Sequence, residues 1–238
     1  MPTTHNTGSP SLLDDVDNPQ QSRRKFIRNA GFAGLLVAGV SSCQKIWDQF
    51  PHGGHGGPKK VDLGSGDTGI LNYAYALEQL EAAFYTQVSI KGYHGMTALE
   101  SKYLNDIRDH EIAHREFFKK ALGNKAIPDL EVDFSSIDFE SRDSVLGTAK
   151  AFEDLGVSAY NGAGSLIVSG DYLLLAGKIV SVEARHAAYI RNLIQRGTFA
   201  DSTVVDANGL DTSRKPMEVL PIAQKYFKTK IDGSHLPS

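Results

Sequence analysis

Apolar positions recur at spacings of three and four through four long stretches of this chain, and polar or glycine-rich segments divide them. The first stretch runs from Ile70 to Ile90. Asp67 and Thr68 before it offer side-chain oxygens to free backbone amides, and Gly92 stands where a helix would stop. Thr97-Ala98-Leu99-Glu100 has capping-box spacing and opens a second helix to Leu122, with Gly123 as its stop. A third helix is expected from Ser144 to about Gly162. A fourth runs from Gly170-Asp171 to Arg196, with Gly197 beyond it. Between Gly123 and Asp143 no helical period is sustained, so this segment reads as a long crossover. Two short connections around one long one predict an all-α four-helix bundle with its single crossover between the second and third helices, and a short extra helix from Pro216 to Phe227.

The bundle repeats itself. With the first helix laid over the third, Leu71, Ala74, Ala76, Glu78, Leu80 and Tyr85 meet Leu146, Ala149, Ala151, Glu153, Leu155 and Tyr160 as identical types. With the second laid over the fourth, Glu111 and His114 meet Glu183 and His186. Duplication of an apolar core gives no reason to retain polar residues, so their repetition points to a site. One Glu-x-x-His arises by chance roughly 0.3 times in a chain like this; two that align through a repeat carry much more weight.

Residues three apart on a helix share a face, so each Glu-x-x-His presents a carboxylate and an imidazole together. A spacing of seven makes two turns, which puts Glu78 with Tyr85 and Glu153 with Tyr160 and lets each phenol hydrogen-bond a carboxylate. The same tyrosines also suit plain core positions. Glu78 lies nearly as far before Lys91 as Glu111 lies after Thr97, so antiparallel first and second helices bring both to one level. Burying four carboxylates and two imidazoles without positive counter-charge is prohibitive, and two divalent ions supply that charge. Oxygen ligands with one nitrogen per ion suit two iron or two manganese ions. Glu81 is the rival to Glu78, but its repeat partner is Gly156. His110 reads as a surface or supporting residue, and Arg185 as a solvated charge.

A Glu from each of two helices with a Glu-x-x-His from each of the other two resembles the ferritin-like di-iron and di-manganese carboxylate proteins. Leu77-Glu78-Gln79-Leu80-Glu81-Ala82-Ala83-Phe84-Tyr85, Glu111-Ile112-Ala113-His114 and Glu183-Ala184-Arg185-His186-Ala187-Ala188-Tyr189 are similar to the branch that includes desiccation-related proteins, over residues 68–197. The resemblance implies that Glu111 and Glu183 bridge two metals, that Glu78 and Glu153 are terminal ligands, and that His114 and His186 each cap one ion. It implies redox chemistry with dioxygen or peroxide, or else metal binding and stress protection without turnover.

The remaining sequence concerns address. Ser22-Arg23-Arg24-Lys25-Phe26-Ile27 precedes the apolar run Ala30–Val40 and resembles a twin-arginine export signal. Val40-Ser41-Ser42-Cys43 resembles a lipoprotein signal, which makes Cys43 the expected lipid anchor and residues 1–43 the leader. Residues 44–66 read as a flexible linker in which His52 and His55 are incidental, 67–197 as the bundle, and 198–238 as a loop with the short helix. Export by the twin-arginine machinery to a periplasmic or envelope location follows as an expectation. A single cysteine excludes an internal disulfide framework and any multi-cysteine metal site. A net charge of −3 with no basic run outside the leader gives nucleic acid no electrostatic track. Self-association is left open.

Overall fold

The computed structural model describes residues 60–238, and the expected export signal, Cys43, His52 and His55 lie outside them. The element order is β1 (Lys60–Asp62), α1 (Gly66–Lys91), α2 (Ala98–Leu122), α3 (Arg142–Gly164), α4 (Gly170–Ile194), α5 (Pro216–Ala223) and β2 (Lys230–Asp232). The four long helices form the bundle, with the connection from α2 to α3 as its one long crossover. Among the described residues the fold is all-α apart from the two short strands. No helix among the described residues is long and apolar enough to cross a membrane.

Local chemistry sets the ends of the helices. Thr97 and Glu100 close the capping box: the Thr97 hydroxyl accepts from the Glu100 amide at 3.1 Å and Glu100 accepts from the Thr97 amide at 2.9 Å. Gly92 and Gly123, both at positive φ, end α1 and α2. Three starts or stops differ from the sequence expectation. α1 begins after Ser65, and Asp67 turns outward to accept from the Val168 and Ser169 amides at 2.8 Å each. α3 starts at Arg142 because Ser141, not Ser144, supplies the cap. α4 ends at Ile194, where the Thr198 hydroxyl donates to the Arg191 and Gln195 carbonyls and the Arg191 guanidinium donates to the Thr198 carbonyl. The expected helix over Pro216–Phe227 is α5 followed by a 3-10 turn, Gln224–Tyr226.

The end of the expected linker is built into the fold. Lys60–Asp62 pairs in parallel with Lys230–Asp232, and Lys60 bridges Asp232 at 2.7 Å. The chain's last segment is thereby fastened beside the start of α1, where a Cβ on Gly69 would sit 2.6 Å from the Gly64 carbonyl oxygen.

Burial is uneven among the helices. In α1, 17 of 26 residues are buried, and in α3 13 of 23, whereas α2 and α4 bury six each. α1 and α3 are central because the crossover and the C-terminal segment cover them. Ile137 and Phe139 of the crossover join the core, and Phe84 meets Phe134 and Phe152 edge-on, with Phe152 against Tyr226. Each such aromatic pair adds about 0.5–1.5 kcal/mol beyond burial. α2 and α4, which carry the two Glu-x-x-His motifs, keep one face in water.

Candidate metal centre

Six side chains from four helices converge at mid-height of the bundle. Glu78 comes from α1, Glu111 and His114 from α2, Glu153 from α3, Glu183 and His186 from α4. They form two overlapping groups: Glu78, Glu111, His114 and Glu183 in one, Glu111, Glu153, Glu183 and His186 in the other, with the ligand atoms of each group all within 4.8 Å of one another. Glu111 and Glu183 belong to both. His114 Nδ1 lies 2.8 Å from Glu183 Oε1, 3.5 Å from Glu78 Oε2 and 3.6 Å from Glu111 Oε2. His186 Nδ1 lies 2.8 Å from Glu111 Oε1, 3.6 Å from Glu153 Oε2 and 3.7 Å from Glu183 Oε2. Each shared glutamate therefore reaches both histidines with a different oxygen, while Glu78 and Glu153 reach one histidine each.

The donor set fits two cations. All four glutamates are 0% exposed, His186 is 4% exposed, and the His114 side chain 13%. Glu78 Oε2, Glu153 Oε2, both carboxylate oxygens of Glu111 and of Glu183, and Nδ1 of each histidine have no hydrogen-bond partner. The short approaches of His114 to Glu183 and of His186 to Glu111 thus lack hydrogen-bond geometry, as expected for lone pairs aimed at a common centre. Eight unpartnered buried polar atoms in one place would be a severe cost in a metal-free core. Four carboxylates would balance two divalent ions, and both imidazoles would then stay neutral.

Electrostatics without ions shows the same demand for positive charge. Burial pushes Glu78, Glu111 and Glu153 upward, with Glu183 adding to the rise by repulsion. Burial also opposes the charge on Glu183, but the close approach of His114 and His186 outweighs it and holds this carboxyl down at about 2. Burial would lower both histidines; the surrounding glutamates overcome it and raise them far above the ordinary imidazole value. Imidazolium charge thus takes the place of cations between the carboxylates.

The tyrosines support the site in a crossed pattern. The Tyr85 hydroxyl of α1 donates to Glu153 Oε1 of α3, and Tyr160 of α3 donates to Glu78 Oε1 of α1. Each occupies the oxygen that faces away from the histidine and leaves Oε2 free as the ligand atom. His110, from the turn before His114, lies behind His186: its Nδ1 is 2.9 Å from His186 Nε2, and the rings stack at 5.1 Å. When His186 binds through Nδ1, its Nε2 carries the proton and donates it to His110. Val182 holds the equivalent place in the repeat, which therefore carried no signal for His110.

Glu81 belongs to neither group of ligand atoms. It is 4% exposed, and burial pushes its carboxyl upward, with Glu111, Glu183, Glu153 and Glu78 adding repulsion. A Cβ on Gly156 would meet Glu81 Oε1 at 3.1 Å, so the residue that breaks the repeat is the one whose absent side chain gives Glu81 its room. Arg185 is exposed and donates to the Ser181 carbonyl at 2.7 Å, away from the centre.

A search of the curated proteins found no match. The profile of the ferritin-like domain family matches residues 66–196, a span that runs from the first residue of α1 to just past the end of α4 and contains all six converging side chains. With more than half of its length matched, and with the bundle and acid–histidine cluster described above, the chain belongs to the ferritin-like domain family.

Proposed function

We propose that this protein binds two iron ions, or two manganese ions in the same ligands, and carries out redox chemistry with dioxygen or peroxide. The observation that carries this reading is the sharing of Glu111 and Glu183 by both ligand groups, which holds two ions close enough to act on one oxidant. When bound, a redox-active pair supplies two electrons, one per ion: dioxygen with two protons becomes hydrogen peroxide, or hydrogen peroxide with two protons becomes two waters. The chain's own part is to place and insulate. Glu111 and Glu183 fix the spacing, Tyr85 and Tyr160 lock the terminal carboxylates, and the surrounding apolar residues keep bulk water from the centre.

The deciding experiment purifies the protein from its own host without added metal, counts and identifies the ions, and measures dioxygen and peroxide consumption. Two ions per chain with consumption of either oxidant are expected. Bound metal with no consumption would instead establish a non-catalytic metal-binding or stress-protective role, and an absence of metal would end both readings.

We also propose export through the twin-arginine machinery and anchoring of the protein to the cell envelope at Cys43, on the strength of Arg23-Arg24 before the apolar run and the cysteine after it. Replacing Arg23 and Arg24 with lysine should retain the protein in the cytoplasm, and Cys43→Ala should release the exported form from membranes. Unchanged fractionation of either variant would refute the matching half of this claim.

A further inference from the structure

The end of the bundle where α3 turns into α4 exposes three large aliphatic side chains within seven residues: Val168 is 88% exposed, Leu173 46% and Leu174 55%. β1 delivers the chain to this same end, because Asp67, five residues past β1, accepts from the Val168 and Ser169 amides. Lysines gather there too. Lys60 and Lys125 line one open cleft, Lys230 stands beside Lys60 in the register of β1 with β2, and Lys120 lies in the last turn of α2. The nearby acids are already engaged: Asp232 by Lys60 at 2.7 Å, Asp129 by Lys119 at 3.3 Å and Asp62 by His235 at 3.0 Å. Lys120, Lys125 and Lys230 are exposed and have no carboxylate partner among the described residues; against these three stands Asp171 at the start of α4. The opposite end has the other sign. The 26 residues of α1 place it about 39 Å away. Ile90 and Leu99 are exposed there, but so are Asp138, Glu140 and Asp143, and Arg142 among them is held by Glu100 at 2.9 Å.

We propose that the end where α3 turns into α4 docks on an anionic phospholipid bilayer, with Val168, Leu173 and Leu174 entering the headgroup boundary and Lys120, Lys125 and Lys230 meeting the phosphates; this rests on the anchoring reading above. Chain length is the first argument. Sixteen residues separate the proposed anchor Cys43 from Lys60. A random coil of that length spans about 20–25 Å, less than the length of α1, so the end that β1 enters is the end that meets the bilayer. Chemistry is the second. Aliphatic side chains with lysines beside them suit the boundary between headgroups and acyl chains, and each lysine near an anionic surface favours the bound state about fivefold. A lipid anchor and a basic, aliphatic surface make two signals, which hold a protein at a membrane more firmly than either alone.

The test uses the protein purified from the membranes of its own host, with acylation of Cys43 read by mass spectrometry, in vesicles of phosphatidylcholine with or without phosphatidylglycerol. Ser234→Cys, just past β2, and His94→Cys, at the opposite end, each take a fluorophore. Time-resolved energy transfer to a headgroup-labelled lipid then gives the ratio of docked to free bundles. With phosphatidylglycerol present, transfer should be stronger from the label at 234 than from the label at 94. Replacing Lys120, Lys125 and Lys230 together with serine should lower the ratio at least fivefold, and so should Leu173→Ser with Leu174→Ser, the circular dichroism of both variants being unchanged. High salt should lower it in the wild type. Acylated protein whose two labels transfer equally, or whose ratio is the same without phosphatidylglycerol, overturns the docking and leaves the anchoring standing. Energy transfer between 234-labelled copies in detergent would give this end to a second copy of the chain and overturn the docking as well. An unmodified Cys43 overturns the anchoring reading, and the docking with it.

Discussion

The α1–α2 half and the α3–α4 half place the same acid and histidine side chains at the same height, yet the residues beside them do different work. Gln79 follows Glu78, accepts from the Leu130 amide at 2.7 Å and donates to the Pro128 carbonyl at 3.4 Å. Asp154 follows Glu153 and accepts from Arg191 at 2.6 Å, while Arg191 also holds Asp201 at 2.7 Å and the Thr198 carbonyl at 2.9 Å. Each anchor fastens the chain that leaves its own half's second helix, by an amide in one half and a part-buried ion pair in the other. Backbone anchors can be satisfied by many polar groups and so have diverged. A pair of like cations, as proposed, would require one donor set, and the acid and histidine side chains have not.

The sharpest way to break the comparison is to test shared ligands against private ones. Glu111→Ala removes a donor from both groups, so bound metal should fall from two ions to fewer than one per chain, with helicity retained. Glu78→Ala and Glu153→Ala each strip one group and should leave about one ion each. Metal analysis beside circular dichroism reads all three. Loss of both ions from Glu78→Ala, at a level matching Glu111→Ala, would mean that the halves are not equivalent.

The next effect is a pH dependence that reverses with metal. Without ions, Glu78, Glu81, Glu111 and Glu153 hold protons more tightly folded than unfolded, because they are buried among one another. Their contribution is complete below the ordinary value of 4.5 and is lost as pH rises through the folded values. His114 and His186, also raised, contribute fully below 6.5 and lose it as pH rises through theirs. Glu183 runs the other way, its contribution present above 4.5 and lost as pH falls toward about 2. Six raised groups against one lowered predict that the metal-free protein becomes less stable from about pH 4.5 to neutral. Bound ions need the deprotonated ligands, so the rise in Tm on adding metal should be larger at pH 7 than at pH 5. A Tm gain that does not change with pH would contradict this assignment of charge.

The parts of this molecule that are legible in the sequence are those written in local period. Glu-x-x-His is a one-turn relation, and the internal repeat carries the pairing between halves, so all six converging side chains stand out from the sequence alone. Relations fixed by packing do not. Which carboxylate Tyr85 serves depends on how α1 lies against α3, and the answer is the partner half's Glu153. Asp67 looks like a cap for its own helix, but its carboxylate serves the amides of Val168 and Ser169, far along the chain. β1 and β2 are three residues each and too short for an alternating pattern to register. His110 lacks a repeat partner, and only the approach of α4 gives it a role.

The smallest effect tests the position where the halves differ inside the core. In α3, Gly162→Ala would drive a Cβ to 1.8 Å from the Arg214 carbonyl oxygen, and since backbone must move the cost should be about 2–3 kcal/mol in chemical denaturation. Gly156→Ala is different. Its Cβ would meet Glu81 Oε1 at 3.1 Å, the end of a flexible side chain that can give by a few tenths of an ångström. Alanine in a helix interior is worth about 0.8–1.0 kcal/mol over glycine, against a crowding cost of about 1 kcal/mol, so the single variant should be close to neutral. With Glu81→Ala in the background the crowding disappears and the helix preference remains, so Gly156→Ala should then stabilise by up to about 1 kcal/mol. A double-mutant cycle measures that difference directly. Equal effects of Gly156→Ala in both backgrounds would show that Gly156 is not there to make room for Glu81, and that the break in the repeat has another cause.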